Sequence, residues 1–246
     1  MFSNLAYLSN LKTKKIAKGI KYIDSTNSTN IKVYEMLLKN EINVLDVLIA
    51  EQQTDGKGRR GDQWFSSRNK SLTFSFIINS NLLFINKLSL ICGIAIIEGI
   101  KETSNLKCQL KWPNDVMYKN KKVGGVLIEK KRDHYIIGIG VNVNNTEFDS
   151  SIKNYATSIY TISNVETKRE LLLANIFNNF ERLLDMNISE IIKKWESFCN
   201  HMNTFVKFHH SKNIIEGNFS GLNKNGNAKI KINENEKVFH SGIIEL

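Results

Sequence analysis

Apolar positions along the chain fall into two periods. Ile31, Tyr34, Leu37 and Leu38 recur at helical spacing behind a Ser/Thr/Asn cluster able to cap, predicting an amphipathic helix over residues 30–39. The period then shortens. Residues 44–50 (VLDVLIA) read as a short buried strand, and residues 72–79 (LTFSFIIN) alternate and are rich in β-branched and aromatic side chains, so both predict strands. The loop between them is longer than a compact domain carries without a use for it. A second helix is predicted over 86–103, then strands over 107–112, 123–130 and 135–143, and a polar, unpatterned loop over 144–155. Thr167 and Glu170 have capping-box spacing ahead of a strongly periodic helix running through Leu184, and a further helix is expected over 188–199. Beyond Asn203, short alternating segments separated by Gly217, Gly221, Asn225-Gly226 and Gly242 predict a small β-barrel-like module. Two units follow, residues 1–203 and 204–246, the first α+β with a mixed sheet flanked by helices.

Composition narrows this picture. With 246 residues, 41% hydrophobic and 24% charged, the chain can bury a real core, which excludes disorder and a stapled miniprotein. The longest apolar stretch, 88–100, is interrupted by Ser89, Gly93 and Glu98, too short and too polar for a bilayer span. Residues 1–21 lack a signal-peptide pattern, and a cytoplasmic protein is expected. Cys92, Cys108 and Cys199 are scattered without a C-x-x-C pair, so neither disulfides nor a zinc site is indicated. The net charge of +10 suits a nucleic-acid partner, but the lysines are dispersed and the basic tracts short, which favours an ordinary solvated surface.

Four segments carry candidate chemistry. In GKGRRGDQW (Gly56 to Trp64), closely spaced glycines let backbone N–H groups approach an anion while Lys57, Arg59 and Arg60 supply positive charge. The spacing satisfies G-x-G-x-x-G, yet a strand rather than a helix is predicted next, which argues against a dinucleotide fold. KWPND (Lys111 to Asp115) holds the only proline and predicts a rigid strand exit presenting Lys111, Asn114 and Asp115 together. Lys122 opens a strand followed by Gly124 and Gly125, placed to neutralise developing phosphate charge. Gly138 and Gly140 mark close backbone approach in another strand, and Asn142 offers the donor and acceptor that suit an adenine edge. Each segment alone has an ordinary structural explanation; their order in one chain does not.

In that order the segments resemble the biotin protein ligases, whose hallmark Gly-Arg-Gly-Arg-x-Gly-Arg-x-Trp loop matches GKGRRGDQW, preceded by Ser25-Thr26-Asn27 and followed by KWPND, K-x-G-G and G-x-G-x-N. The resemblance implies a class II synthetase-like catalytic domain with a C-terminal SH3-like barrel. It implies that Ser25, Thr26, Asn27 and Gln53 hold the biotin ureido ring. The triplet occurs twice, and the first copy is preferred because Asp24 precedes it and the second falls inside the expected helix. Lys57, Gly58, Arg59 and Trp64 would fold over biotin, with Lys122, Gly125, Leu127, Gly138 and Gly140 along its tail and carboxylate. Arg59, Arg60, Lys111, Asn114 and Asn142 would meet the nucleotide, with the 144–155 loop ordering over it. Lys122, Arg59 and Asp115 would be catalytic, Asp115 orienting or deprotonating the acceptor amine.

The implied reaction joins biotin to ATP as biotinyl-5′-AMP and transfers it to a lysine of a biotin carboxyl carrier protein, with Mg²⁺ carried mainly on the ATP phosphates. Only 23 residues precede Asp24, so the type without a DNA-binding domain is expected, with no DNA or membrane partner and a homodimer left open. Two positions depart from the motif: Lys57 and Asp62 stand where arginine is usual, the second reversing charge. A lipoate or octanoate ligase shares the chemistry but not the Gly-Arg spacing, and a basic nucleic-acid-binding module leaves Gln53 and Trp64 without a role.

Overall fold

The computed structural model describes residues 2–81, 85–210 and 213–245; Leu246, the last residue of the C-terminal ending, lies outside them. The chain begins with α1 (Asn4–Asn10), β1 (Ile20–Thr26), α2 (Thr29–Leu38) and β2 (Val47–Gln53). Two very short strands, β3 (Gly56–Lys57) and β4 (Gln63–Trp64), precede β5 (Ser71–Asn79) and α3 (Ile85–Ser104). A meander follows through β6 (Gln109–Lys111), β7 (Asp115–Tyr118), β8 (Lys121–Lys131) and β9 (His134–Asn142), then α4 (Ile159–Ser163), α5 (Arg169–Leu184) and α6 (Ile188–Phe198). The chain ends in β10 (Phe205–His210), β11 (Asn213–Leu222), β12 (Ala228–Ile232), β13 (Asn235–Phe239) and β14 (Ile243–Glu245).

A seven-stranded sheet of order β1-β2-β5-β9-β8-β7-β6 organises the larger unit. β1 and β2 are parallel because α2 crosses between them; all other pairings are antiparallel. β5 is buried at every position but Asn79, since helices cover both faces. On one face Phe76 meets Phe177 and Phe180 edge-on, with ring centroids 5.1 and 5.2 Å away. On the other, Val33 and Met36 of α2 close over Leu48, Ile77 and Ile136. That face differs from the expected stripe: Ile31 and Leu38 are exposed, while the polar Thr29 and Asn30 are buried. Helical spacing located the helix, but apolar side chains on more than one of its faces (Ile31, Val33, Met36, Leu38) left its rotation undetermined.

The capping box expected from Thr167 and Glu170 does not form. Lys168 takes the N-cap position of α5 without a side-chain bond, the Thr167 N–H donates to Asn144 Oδ1, and the Glu170 carboxylate accepts from the Ser3 N–H. Tertiary partners outcompeted the local motif. A capping box closes α6 instead, between Asn187 and Glu190.

The C-terminal strands form one antiparallel sheet, β13-β12-β11-β10-β14. Its size and meander suit an SH3-like domain, but β13 and β14 do not pair with each other among the described residues, so the sheet is not closed into a barrel. It packs on the larger unit through Trp195, Phe219 and the fully buried His201, whose ring lies 4.3 Å from that of Phe219. Burial, reinforced by the charge of Lys111, pushes the His201 pKa down to about 3. Its unfolded value is near 6.5, so the neutral ring supports the fold fully above that pH and progressively less as pH falls towards 3. His201→Phe is therefore expected to flatten the loss of stability across that window in denaturant titrations. Equal slopes for both proteins would show that His201 is not the source.

Candidate active site

The central strands, the start of α2 and the glycine loop enclose a cavity of about 160 Å³. Its floor depends on missing side chains. A Cβ at Gly138 would lie 2.3 Å from Asn30 Oδ1, and one at Gly140 would lie 2.3 Å from the Trp64 ring. A Cβ at Gly125 would press on Lys122, 3.1 Å from its Cε. The strand glycines thus make room for functional side chains rather than for flexibility.

One end of the cavity is a buried polar chain. The Thr29 N–H and hydroxyl both donate to Gln53 Oε1, at 2.7 and 2.9 Å. The Ser75 hydroxyl lies 2.7 Å from both Thr29 Oγ1 and Asn30 Oδ1, and Asn30 Nδ2 donates to Glu129 at 2.7 Å. With Gln53 Oε1 occupied by two donors, its Nε2 is the group left to donate to a ligand acceptor.

The glycine loop folds back as a hairpin, pairing Gly56 with Trp64 and Lys57 with Gln63. Its tip turns through the left-handed region at Arg60 (φ 56°) and Gly61 (φ 87°). Arg59 Nη1 reaches across to Asn114 Oδ1 at 3.1 Å, joining the loop to the corner between β6 and β7. Burial lowers the pKa of Arg59, helped by Arg60 and opposed by Asp115 and Asp62. Trp64 Nε1 is buried with no hydrogen-bond partner among the described residues.

At that corner Lys111 pairs with Asp115 across the hairpin, and Asp115 forms an ion pair with Lys122 at 2.6 Å. Lys122 Nζ also lies 5.9 Å from the centre of the Trp64 ring. Burial lowers the Lys111 pKa, with Lys122 acting in the same direction and Asp115 and Glu245 against it. Around one carboxylate sit Arg59, Lys111 and Lys122, a surplus of positive charge in a partly dry site. Such a site attracts and stabilises an anion. Gly242 to Ile244 of the C-terminal sheet close one side.

A sequence profile of the biotin/lipoate A/B protein ligase family matches residues 20–142. The biotin protein ligase of Aquifex aeolicus, solved with biotin and ATP, is 32% identical, superposes with a TM-score of 0.84, and is matched over 93% of this chain and 98% of that one. The chain belongs to this family. The bifunctional ligase/repressor BirA of Bacillus subtilis is 27% identical over 96% of this chain and 76% of its own. The biotin--[acetyl-CoA-carboxylase] ligase of Mycobacterium tuberculosis is 28% identical over 55% of this chain and 52% of its own.

Within this family member, the residues singled out from the sequence line the cavity except Ser25, Thr26, Asn27 and Asn142. Ser25 and Thr26 belong to β1, where they pair with Gln52 and Gln53, and Asn27 is exposed. The second copy of the triplet, Ser28-Thr29-Asn30, is buried and lines the cavity instead. The repeat was visible in the sequence, but the helix start at Thr29 decides between the copies: it turns the second inward, and β1 holds the first at the sheet edge. Asn142 is buried away from the cavity and donates to the Thr157 carbonyl at 3.1 Å. Ser75 and Glu129, which complete the polar chain, and Gly242 to Ile244 carried no recognisable signal in the sequence. Among the described residues, no helix is long and apolar enough to cross a membrane.

Proposed function

We propose that this protein is a biotin protein ligase that activates biotin with ATP and transfers it to a lysine of a biotin carboxyl carrier protein. The observation that carries this reading is the Asp115–Lys122 ion pair, 2.6 Å long, set beneath a cationic glycine loop at one end of a cavity whose other end is a chain of amide and hydroxyl groups. A fused urea with an acid tail needs both ends: polar groups that pair its N–H and C=O, and cations for its carboxylate. Thr29, Asn30 and Gln53 serve the first need. Lys122 and Arg59 serve the second. The names of the relatives point to biotin rather than lipoate.

In the first half-reaction a biotin carboxylate oxygen attacks the α-phosphorus, the bond to the β-phosphate bridging oxygen breaks, and pyrophosphate leaves. Two anions must meet, so Lys122, Arg59 and loop N–H groups offset their repulsion and stabilise the charge on the equatorial oxygens. In the second, the acceptor lysine amine attacks the acyl carbon and AMP departs. That amine, with an ordinary pKa near 10.4, must lose a proton; Asp115 would orient it or receive that proton. Trp64 against Gly140 closes the biotin side and shields the mixed anhydride from water. Mg²⁺ would enter this site as a companion of the ATP phosphates, whose charge it would reduce. Lys111, Asn114 and Arg60 form the nucleotide side, with Asn142 able to reach it only by releasing Thr157.

Incubation with biotin, Mg-ATP and a biotin carrier domain should release pyrophosphate and biotinylate one carrier lysine, whereas lipoate should support neither. Transfer of lipoate but not biotin would overturn the reading. The exposed Asp62 lies in the loop beside Arg59, where it weakens the cationic hold on the intermediate. Asp62→Arg is expected to slow release of biotinyl-adenylate about tenfold, the size of one charge-assisted contact. Equal release rates for the two proteins would count against a role for that position.

A further inference from the structure

The hydroxyl of Ser71, 1% exposed at the start of β5, does not line the cavity yet joins the roots of two loops. It accepts from the Ser67 N–H at 3.0 Å, at the end of the glycine loop, and from Asn145 Nδ2 at 2.9 Å, at the start of the 144–157 segment. Asn145 is 2% exposed, and its carbonyl accepts from Ser158, the N-cap of α4. Next to this joint, the Asn144 N–H donates to the Lys70 carbonyl at 2.9 Å. Arg169 fixes the joint from behind by donating to the Ser71 carbonyl at 3.0 Å. The far end of the segment grips Lys122: the Lys122 N–H donates to the Tyr155 carbonyl at 2.7 Å, and the Thr157 N–H donates to the Lys122 carbonyl at 2.9 Å.

The glycine loop, which covers the biotin end, therefore finishes beside Ser71; the other loop starts beside Ser71, at Asn145, and finishes on the backbone of the lysine at the phosphate end. We propose that Ser71 is a positioning residue for the reaction: by tying both roots, it makes the seating of biotin and the engagement of ATP by Lys122 depend on one another. This rests on the ligase reading above. The joint is buried and every polar group in it is paired, so moving one root strains the other. Seating of the glycine loop on biotin then biases the position of the segment that holds Lys122, and by linkage the nucleotide biases the biotin side equally.

The test is calorimetric. In the wild-type protein, biotin and a non-hydrolysable ATP analogue should each tighten the other's dissociation constant by the same factor, about tenfold for a coupling of ordinary size. In Ser71→Ala that factor should fall below about two while each ligand bound alone keeps its affinity within roughly threefold, a pattern that general loosening of the fold does not produce. Asn145→Ala should behave alike. Hydrogen exchange supplies a readout that needs no variant: biotin alone should slow exchange at the Lys122 and Thr157 amides of the wild-type protein. Independent binding in the wild type, an unchanged factor in both variants, or no slowing at those amides would overturn the joint and leave the ligase reading standing. Wild-type protein that binds neither ligand would overturn both.

Discussion

Lys122→Ala is expected to lose biotin-dependent pyrophosphate exchange by roughly 10²–10³-fold, about 3–4 kcal/mol of transition-state stabilisation, the usual cost of removing one preorganised donor from developing oxyanion charge. Two changes coincide in this variant. The carboxylate–phosphate encounter loses one of its proposed cations, and Asp115 loses the partner 2.6 Å away that now compensates its charge, leaving a carboxylate facing an incoming polyanion. Biotin affinity should change far less, because Thr29, Asn30 and Gln53, the groups proposed for the ureido end, lie at the other side of the cavity. Lys122→Arg should recover part of the rate, since it keeps the charge but not the compact ammonium geometry. The measurement is isotope exchange between pyrophosphate and ATP alongside equilibrium biotin binding. Exchange within threefold of wild type in Lys122→Ala would remove Lys122 from the chemical step.

Arg169→Ala is expected to cost about 3–5 kcal/mol of stability and to lower the melting temperature by roughly 10 °C, the cost of stranding one member of a buried ion pair. Its partner Glu51 is 1% exposed and accepts four hydrogen bonds: from Arg169 Nη1 and Nη2 at 2.8 and 2.9 Å, from the Tyr22 hydroxyl at 2.8 Å and from the Asn69 N–H at 3.0 Å. Burial pushes the Glu51 pKa up, but the bonds from Arg169, Tyr22 and Asn69 outweigh it and hold the group below the ordinary carboxylate range. A depressed carboxylate contributes stability above its unfolded pKa, near 4.3, and loses it as pH falls through the folded value. Without Arg169 the burial effect is less opposed, Glu51 takes up a proton at higher pH, and the deficit relative to wild type should narrow towards acid. Glu51→Gln with Arg169→Met should recover much of the loss, because no charge is then left buried. Denaturant titrations at neutral pH and below pH 4 measure both points; a constant deficit across that range would exclude the ion pair as its cause.

What could be read from the chain divides by the distance over which each signal acts. Strands β2, β5, β8 and β9 and helices α2, α3, α5 and α6 announce themselves through runs and periods of apolar residues, because burying one face is a local pattern. α1, β1 and β7 are short and mixed in polarity, and only their neighbours hold them. The glycine loop, KWPND and the strand glycines were also legible, since each needs particular residues at adjacent positions: a side chain at Gly140 would occupy the space of Trp64.

The tertiary structure decided matters that depend on residues distant in sequence. It turned Ser28-Thr29-Asn30 rather than Ser25-Thr26-Asn27 into the cavity, gave Asn142 to Thr157, and spent Thr167 and Glu170 on Asn144 and Ser3 instead of on a helix cap. It also brought Gly242 to Ile244 to the rim of a site built mainly from residues 28–140. The reason is common to the first three. A polar side chain has several partners of nearly equal energy, each net bond being worth only about 1 kcal/mol, so the packing of the apolar faces fixes which partner is within reach. Sequence alone therefore determined which chemistry this chain carries, through its charges, glycines and motif spacing; the assembled sheet and helices determined which of several equivalent residues perform it.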